Sequence, residues 1–386
     1  MRDGIFNDLS NAEYHGDRDS VNKGLLDVVA RSPLHAKAVL DSSNDNEPTA
    51  AQAFGTAFHT LLLEPEKFAD EYVCELTRDD APHAIADRDA LVAMVEELNE
   101  GRLPKLATGG TKADQVERLL QAYAEQEPDC TAGAIELETL PAKELKAELE
   151  RLNKHRPGKL STSGNVDDLA AILREHGHEI TLWRDVRKRW DDENEGMAVL
   201  SVDAYNQLLD MRASVMAHPM ARALLTGGNC ERMAEASVYW TDPETGLSCR
   251  CRPDFWRADG VVVDLKTTRD ASQEGFGKSL AQYRYHVQEP WYMDGMQHAY
   301  EAGHFPEGWA APHAFVFLAV ESTAPYAVAC YIIDDESRAI GRQQYRENLD
   351  TLAECKRSGV WPGYGDKLQS IGVPQWYLLR NAHLVG

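Results

Sequence analysis

The sequence predicts an α/β protein, in which helices flank a mixed β-sheet and a helical insertion divides the chain. From residue 202 onward, helical and strand-like patterns follow one another in the order α-β-β-β-α-β-β-α, which is typical of a mixed sheet covered by helices. Between Asp79 and Trp190 the character changes to many charges, Gly-Gly and Pro-Gly pairs and short amphipathic helical patterns. We therefore expect one domain formed by residues 1–78 and 191–386, with residues 79–190 inserted into it.

The composition indicates a compact protein without a membrane partner. At 386 residues and 43% hydrophobic content, the chain can bury a full core and carry an insertion. The N-terminus lacks an apolar signal segment, and no apolar run reaches the roughly eighteen residues that a membrane-spanning helix needs. The seven cysteines form neither a paired framework nor a CxxC…CxxC zinc pattern. We expect a cytoplasmic protein with reduced thiols, in which Cys249 and Cys251 pack as small apolar side chains.

The net charge of −23 argues against a long basic surface of the kind that binds nucleic acid without sequence preference. It does not exclude a local basic channel. The segment from Arg184 to Trp190 has four cations in seven residues, and it fits either part of such a channel or the solvated face of a helix.

Two helices are predicted before the insertion. Ser32 and Pro33 are suited to the cap and the first position of a helix that continues to Leu40. Residues 51–68 carry an apolar stripe at helical spacing, with His59 beside it. Taken alone, a histidine in that position is more often a hydrogen-bonded core residue than a metal ligand.

The insertion contains a repeat: residues 98–114 align without gaps on residues 152–168. In each copy an extended link joins two amphipathic helical patterns, at residues 91–98 and 114–120 in the first copy and at residues 145–152 and 167–173 in the second. The copies resemble helix-extended-loop-helix modules of the SAP and HeH type. This resemblance implies nucleic-acid binding, with Lys105, Lys112 and Lys159 as phosphate contacts, or protein docking. A purely structural role is equally supported, because the surrounding sequence is rich in acids.

Hydrophobic periodicity predicts the remaining elements. Residues 202–225 have the pattern of one long amphipathic helix, residues 279–300 that of a helix which Pro290 kinks or divides, and residues 336–357 that of a closing helix. Strands are predicted at residues 234–240, 247–253, 261–266, 314–320 and 326–333.

Residues 252–268 carry the clearest chemistry. They read Arg-Pro-Asp-Phe-Trp and, after a turn at residues 258–260, Val-Val-Val-Asp-Leu-Lys-Thr-Thr. The second part should be a buried strand, so strand alternation places Asp264 and Lys266 on one face. The hairpin brings Asp254, from the end of the preceding strand, close to Asp264. The sequence therefore predicts that two carboxylates and an ammonium converge.

Such a group suits metal-assisted phosphodiester hydrolysis. Carboxylate oxygens bind Mg²⁺, and a lysine can orient the attacking water or stabilise the charge that develops on the phosphate. The alternative is an Asp-Lys ion pair on the surface of an edge strand. Ionised groups inside an otherwise apolar strand are costly unless they are paired or functional, so we prefer the functional interpretation.

These motifs resemble those of the PD-(D/E)XK nuclease superfamily, and more closely those of the RecE-type exonuclease domain of phages and prophages. The resemblance rests on residues 55–68 (GTAFHTLLLEPEKF), on the group of Asp254, Asp264 and Lys266, and on residues 283–288 with Tyr292. It covers most of the chain outside the insertion. The fold that it implies is a PD-(D/E)XK nuclease core, a mixed central sheet flanked by helices, interrupted by the helical insertion.

The resemblance also implies roles for individual residues. His59, Asp254 and Asp264 would be metal ligands, joined by the main-chain carbonyl of Leu265. Lys266 would be the catalytic lysine.

Further residues are implied by the same resemblance. Gln288 and Tyr292 match a QxxxY element, whereas Tyr285 and Gln288 match a YxxQ spacing, so the tyrosine that acts with Gln288 is left open. Either tyrosine lies one helical turn from Gln288. Glu235, predicted on the first strand of the β-meander, is a candidate for an additional acidic ligand.

The implied activity is Mg²⁺-dependent hydrolysis of DNA, with Mn²⁺ as a substitute cation. More narrowly, it is 5′-to-3′ exonuclease digestion of linear double-stranded DNA, which produces single strands for recombination by annealing. The implied partners are double-stranded DNA, a RecT-like single-strand annealing protein and further copies of the chain, in a homo-oligomer such as a ring around DNA. An iron-sulfur subgroup of the superfamily is not expected, because no cysteine follows Cys355. Two alternatives stay open: an endonuclease of the same superfamily, and a non-catalytic DNA-binding recombination scaffold.

Overall fold

The computed structural model describes residues 3–42, 49–126, 134–228 and 230–384. The chain divides into two compact units, one formed by Met1–Cys74 with Met197–Gly386 and the other by Glu75–Gly196. The first unit contains the β-sheets, and the second is the helical insertion.

The secondary structure follows the chain in this order. The helices are α1 (Asn11–Gly16), α2 (Lys23–Arg31), α3 (Pro33–Asp41), α4 (Ala50–Leu63), α5 (Pro65–Glu71), α6 (Arg88–Leu98), α7 (Lys112–Gln126), α8 (Ala134–Thr139), α9 (Ala142–Asn153), α10 (Val166–Glu175), α11 (Trp183–Glu193), α12 (Val202–Ala217), α13 (Pro219–Thr226), α14 (Gln273–Gln282), α15 (Tyr285–Glu301), α16 (Asp335–Ser358) and α17 (Gln375–Arg380). The strands are β1 (Gly4–Phe6), β2 (Tyr72–Cys74), β3 (Ala198–Leu200), β4 (Arg232–Ala234), β5 (Ser237–Thr241), β6 (Ser248–Cys251), β7 (Phe255–Arg257), β8 (Val261–Thr268), β9 (Ala314–Glu321) and β10 (Val328–Tyr331).

The strands of the first unit form a five-stranded sheet and two smaller sheets. The order of the large sheet is β10-β9-β8-β7-β4, a three-stranded sheet has the order β1-β5-β6, and β2 pairs with β3. The central strand β8 runs parallel to β9 and antiparallel to β7. The large sheet is therefore mixed, as predicted.

Helices cover both faces of the large sheet. Val262 of β8 packs in a cluster with Trp291 of α15, whereas Val263 and Leu265 pack in a second cluster with Phe58 of α4. Alternation along β8 thus directs neighbouring residues into two separate cores, as expected for a strand that is buried on both faces. The predicted fold class, a mixed sheet flanked by helices, is confirmed.

The predicted β-meander is wrong in two places. The strand expected at residues 234–240 is divided into β4 and β5, which belong to different sheets. Glu235 lies between them in a left-handed conformation with a φ of 52°, which ends the first strand, so this residue is in a turn and not on a strand. The strand expected at residues 247–253 ends at Cys251, because Pro253 cannot donate a hydrogen bond to a sheet. Asp254 accordingly lies in the link between β6 and β7.

Three helical patterns that looked continuous are each divided in two. Pro65 and Pro219 begin α5 and α13, because proline lacks the amide hydrogen that a helix interior needs and suits the first turn. The third division is at Arg284, whose φ is 55°, and not at Pro290, which is buried inside α15. The helix start predicted at Ser32 is confirmed, since the Ser32 side chain accepts a hydrogen bond from the amide of His35.

Pro290 accounts for a close approach between α15 and α16. A proline leaves the carbonyl four residues earlier without its helical donor, and here that carbonyl belongs to His286. Gly341 of α16 lies against it so closely that a Cβ on Gly341 would be 1.7 Å from His286 O. Glycine is therefore required at this crossing.

Gly341→Ala is expected to lower the free energy of unfolding by about 1–3 kcal/mol, because the His286 carbonyl can move only if α15 and α16 separate. Denaturant unfolding measures the effect. Gly277→Ala in α14 is the matched control: a Cβ there meets nothing within 4 Å, so the variant should be unchanged or more stable by up to about 1 kcal/mol. Equal stability of the two variants would contradict the close approach.

The two repeats of the insertion exchange helices. Both copies contain a helix, an extended link and a second helix, α6 to α7 and α9 to α10. However, α6 packs against α10 and α7 packs against α9, so each packed pair combines the two copies. Neither copy forms a separate module, and the resemblance to SAP and HeH modules stays a prediction.

Repeat-related asparagines join the two extended links. Asn99 Nδ2 donates to Leu160 O at 3.0 Å, and Leu160 N donates to Asn99 Oδ1 at 2.7 Å. Asn153 makes the equivalent pair of bonds with Leu106, at 2.8 and 2.7 Å. The exchange is therefore pseudo-symmetric, and hydrogen bonds from asparagine side chains of one copy to the main chain of the other copy's link stabilise it.

The cations proposed as nucleic-acid contacts of the insertion are on its surface. Lys105, Lys112 and Lys159 are exposed. On α11, Arg184 pairs with Asp167 and Asp185, Arg187 with Asp191, and Lys188 with Asp192. Most of the cations of this segment are thus already neutralised, which favours the solvated helix face over a basic channel.

Cysteines in the described residues are free thiols, and Cys130 lies outside those residues. Cys249 and Cys251 are buried in the main core cluster, which confirms their predicted apolar packing. None of the helices in the described part of the chain is both long and apolar enough to span a bilayer.

Candidate metal centre

Residues from several parts of the first unit meet beside β8. The strand itself carries three of them, and the others come from α4, from α15, from the turn between β4 and β5 and from the link before β7. The set consists of Asp264, Leu265, Lys266, His59, Tyr285, Gln288, Tyr292, Glu235 and Asp254. The structure thus brings together every residue that the sequence proposed for the site, while their roles stay predictions.

Three of these side chains form a group of donors suited to a metal ion. Ligand atoms of His59, Glu235 and Asp254 lie within 4.8 Å of one another, and His59 Nδ1 is 3.6 Å from Asp254 Oδ2. That oxygen also accepts a hydrogen bond from Leu265 N at 2.7 Å. Glu235 N donates to Asp254 O at 3.1 Å, which fixes the turn beside the group. The left-handed turn therefore places Glu235 beside Asp254 and His59.

Asp264 and Lys266 form a second group, close enough to Asp254 for their charges to interact. They lie on one face of β8, as strand alternation predicted, and make an ion pair inside the sheet. Gln288 Nε2 donates to Asp264 Oδ1 at 2.7 Å. Asp264 pairs with the lysine and accepts from the glutamine through Oδ1, and its role as a metal ligand stays a prediction. Glu235, given as an additional ligand, lies in the donor group with His59 and Asp254.

The carboxyl groups of the centre are held in an unfavourable environment for negative charge. Burial raises the pKa of Asp264 to about 6, since the opposing effect of Lys266 is smaller. Burial also raises the pKa of Asp254, and burial together with the charge of Asp254 raises that of Glu235. Carboxylates gathered in this way are stabilised by a bound cation.

The nitrogen groups of the centre have defined charge states at neutral pH. Burial, with Lys266 nearby, lowers the pKa of His59 to about 4, so its imidazole is neutral and can offer a lone pair to a metal. Burial alone would lower the pKa of Lys266, but the attraction of Asp264 and Asp254 raises it above its usual value. Lys266 is therefore a cation.

Both candidate tyrosines of α15 face the centre. The Nζ of Lys266 lies 4.8 Å from the ring centre of Tyr285. Tyr292 packs edge-on against Phe315, with 6.2 Å between ring centres. Burial raises its pKa, and the charges of Asp264 and Asp254 act in the same direction. The YxxQ and QxxxY spacings are thus both accommodated on one face of the helix.

The donors of the first group fit a divalent cation. Two carboxylates and a neutral imidazole are a common ligand set, and a bound cation would offset the cost of burying the two acids, whose pKa values burial raises. Carboxylates suit Mg²⁺ and Mn²⁺ alike, whereas imidazole is more usual on transition metals. On donor chemistry, Mn²⁺ therefore fits at least as well as Mg²⁺.

A cleft of about 1190 Å³ opens onto His59 and Glu235. Its walls include His15 and Arg18, from the region of α1, and Lys67 from α5. The sequence provided no sign of this wall, because neither periodicity nor motif spacing connects the first helices with β8.

Arg252 is a second feature that sequence reasoning missed. Its guanidinium is buried, donates to Ser237 Oγ, Asn11 Oδ1 and Leu9 O, and lies 4.1 Å from the ring centre of Tyr14. It thus ties the start of the chain to the hairpin that carries Asp254. The available signal was an arginine two residues before that aspartate.

Residues 183–373 match the PDDEXK-like domain of unknown function (DUF3799). The matched region is just under half of the chain and contains Glu235, Asp254, Asp264 and Lys266, together with α15; His59 lies outside it. With the mixed sheet and its flanking helices, the match supports placement in the PD-(D/E)XK nuclease superfamily, and the fold is that of a PDDEXK-like core.

No curated protein is significantly similar to the chain. Among solved structures, the chain is similar to a "putative exonuclease" from Eubacterium rectale, with a TM-score of 0.43 and 10% identity over 96% of this chain and 97% of the other. A similarity of this size says nothing about activity.

Proposed function

We propose that this protein is a divalent-metal-dependent DNA exonuclease, with Mg²⁺ as its cation, that digests linear double-stranded DNA in the 5′-to-3′ direction. The observation that carries the proposal is the grouping of His59, Glu235 and Asp254 next to the Asp264–Lys266 ion pair. All but the histidine belong to the region that resembles the PDDEXK-like domain of a nuclease superfamily.

The geometry provides the parts that phosphodiester hydrolysis needs. A cation bound by His59, Glu235 and Asp254 would polarise the scissile phosphate and lower the pKa of a water. Lys266, held by Asp264, supplies a fixed positive charge for the attacking water or for a phosphate oxygen. Gln288 fixes Asp264 in turn, so that the lysine is oriented before substrate arrives.

The cleft supports a substrate that is a strand end. Its volume of about 1190 Å³ is larger than that of pockets that enclose small ligands, roughly 300–1,000 Å³. Such a space has room for a few nucleotides of one strand. The proposed enzyme therefore separates a terminal strand from the duplex and cuts it at the centre.

Assembly and partners are part of the same proposal. A chain with a net charge of −23 repels DNA unless its cations are concentrated locally. A homo-oligomeric ring with the clefts turned inward would achieve this, and a RecT-like annealing protein would receive the single strand that digestion leaves. A purified protein that is a monomer at micromolar concentration would count against the ring.

Linear and covalently closed circular duplexes separate the proposed activity from its nearest rival. With Mg²⁺ or Mn²⁺, we expect linear duplex to be degraded and closed circles to stay intact, because the cleft accepts an end. End-labelled duplexes with and without a 5′-phosphate report polarity in the same assay. Cutting of closed circles would show an endonuclease and overturn the exonuclease proposal.

A further inference from the structure

The first turn of α15 connects two candidate residues to the centre. Through this turn Tyr285 lies against Lys266, and Gln288 is bonded to Asp264. Arg284 is the N-cap residue of the helix; it has a φ of 55° and a ψ of 39° and makes no side-chain capping bond. A left-handed conformation is costly for a residue other than glycine, so it persists only where surrounding contacts hold it.

Asp27 on α2 supplies those contacts. Its Oδ1 accepts a hydrogen bond from Arg284 Nε at 2.9 Å, and its Oδ2 pairs with Lys23 Nζ at 2.7 Å. Lys23 Nζ also donates to the main-chain oxygen of Tyr283 at 2.7 Å. One carboxylate thereby anchors, directly and through Lys23, the two residues that separate α14 from α15.

The same network balances the charges around Tyr285. The Nζ of Lys23 lies 6.0 Å from the Tyr285 ring centre, and that of Lys266 lies 4.8 Å from it. Two ammonium groups around one ring repel each other unless each has its own counter-charge. Asp27 provides that charge for Lys23, whose side chain is only 16% exposed, and Asp264 provides it for Lys266.

Other contacts complete the setting of this turn. His286 Nε2 lies 3.2 Å from Gln344 Oε1 of α16, and His286 Nδ1 lies 3.2 Å from Leu280 O of α14. These contacts join the turn to α14 and α16, whereas Asp27 joins it to α2 through Arg284.

We propose that Asp27 is a positioning residue of the candidate metal centre: it holds the first turn of α15 so that Tyr285 and Gln288 keep Lys266 and Asp264 in place. Asp27 acts through these residues and does not touch the reacting phosphate. The inference rests on the proposed nuclease function, and it adds α2 to the elements on which that function depends.

The test uses the full-length protein and its Asp27→Asn variant, with linear duplex DNA and Mg²⁺. We expect kcat to fall about 10- to 100-fold, the usual effect of losing a partner that orients a reacting group, while KM for DNA ends changes less than about twofold. Asp27→Glu, which keeps the carboxylate, should restore an intermediate kcat. Glu274→Gln is the matched control: it removes the acid of another lysine pair at i,i+4 spacing, exposed on α14, and should leave both constants unchanged.

Hydrogen exchange of peptides covering residues 283–292 gives a second measurement that does not depend on activity. In Asp27→Asn, the amides of these peptides should exchange faster than in the wild type, whereas exchange in α16 should be unchanged. If Asp27→Asn does not fold, Lys23→Met is used instead and should show the same change. Wild-type kcat in Asp27→Asn, or a raised KM with unchanged kcat, would overturn the positioning role. If the wild type does not cut DNA, the proposed function fails, and unchanged exchange in the variants would separately overturn the anchoring of α15 by Asp27.

Discussion

Replacing Lys266 with alanine is expected to lower the maximal rate of DNA digestion by about 10²- to 10³-fold, the size of effect that follows loss of one preorganised donor from a reaction centre. Lys266 is a cation inside the sheet, paired with Asp264 and lying against Tyr285. Its charge is fixed before substrate binds, so its removal costs stabilisation in the transition state. Binding of DNA through the cleft should change little, because Lys266 is not among the cleft residues.

The fold should tolerate this substitution. Burial already raises the pKa of Asp264 to about 6, and loss of Lys266 would raise it further, so Asp264 becomes protonated near neutral pH and avoids an unpaired buried charge. Lys278→Ala is the control, since Lys278 is an exposed lysine of an i,i+4 pair on α14. Digestion at the wild-type rate by folded Lys266→Ala would exclude Lys266 from the reaction.

Asp254→Asn is expected to abolish metal binding and digestion together. Asp254 is the central member of the donor group, near His59 and Glu235 and bonded to the amide of Leu265. Asparagine keeps an oxygen for the Leu265 amide but loses the charge that holds a cation. We expect the affinity for Mn²⁺ to fall by at least about 100-fold, which is the upper range for loss of a partner that only orients a ligand.

Thermal unfolding separates this effect from damage to the fold. Saturating cation stabilises a protein by about 2.7 kcal/mol at a hundredfold excess over Kd, so the Tm of the wild type should rise when Mn²⁺ is added. The Tm of Asp254→Asn without metal should equal or exceed that of the wild type, because repulsion with Glu235 is relieved, and it should not respond to Mn²⁺. Asp203→Asn, on the exposed side of α12, is the control. A metal-dependent rise in Tm that persists in Asp254→Asn would contradict the assigned ligand.

Local sequence patterns were sufficient to predict how the side chains in the middle of β8 are arranged. Period-two alternation alone placed Asp264 and Lys266 on one face, and the apolar residues around them indicated that both are buried. The family resemblance added His59, which no local rule could promote from a core histidine to a ligand. These assignments depend on short segments, in which neighbouring residues alone determine the pattern.

What the sequence could not show depends on contacts between distant segments or on single backbone angles. The turn at Glu235 requires a left-handed residue that no glycine announces, and it moves Glu235 off the strand and into the donor group. Arg284 divides α14 from α15 in the same way, and its partner Asp27 is 257 residues away in the chain. The exchange of helices in the insertion is likewise invisible, because each helix has the same amphipathic pattern whichever copy it packs against.

The two aspartates of the centre, Asp254 and Asp264, have different contacts. Asp254 and Glu235 face His59, whereas Asp264 holds Lys266 and accepts from Gln288. Two aspartates that look equivalent in the sequence therefore have different neighbours. The proposed role of Asp254 as a ligand beside His59 and Glu235 is the reason why its substitution is expected to abolish metal binding.

The central claim is that His59, Glu235, Asp254, Asp264 and Lys266 form a metal-dependent centre that hydrolyses DNA. The most direct test is the release of nucleotides from end-labelled linear duplex by the purified wild type and by Asp254→Asn. We predict release by the wild type with Mg²⁺ or Mn²⁺, arrest on addition of EDTA, recovery with excess cation, and no release by the variant under any of these conditions. Release that continues in EDTA, or that is equal in Asp254→Asn, would contradict the claim.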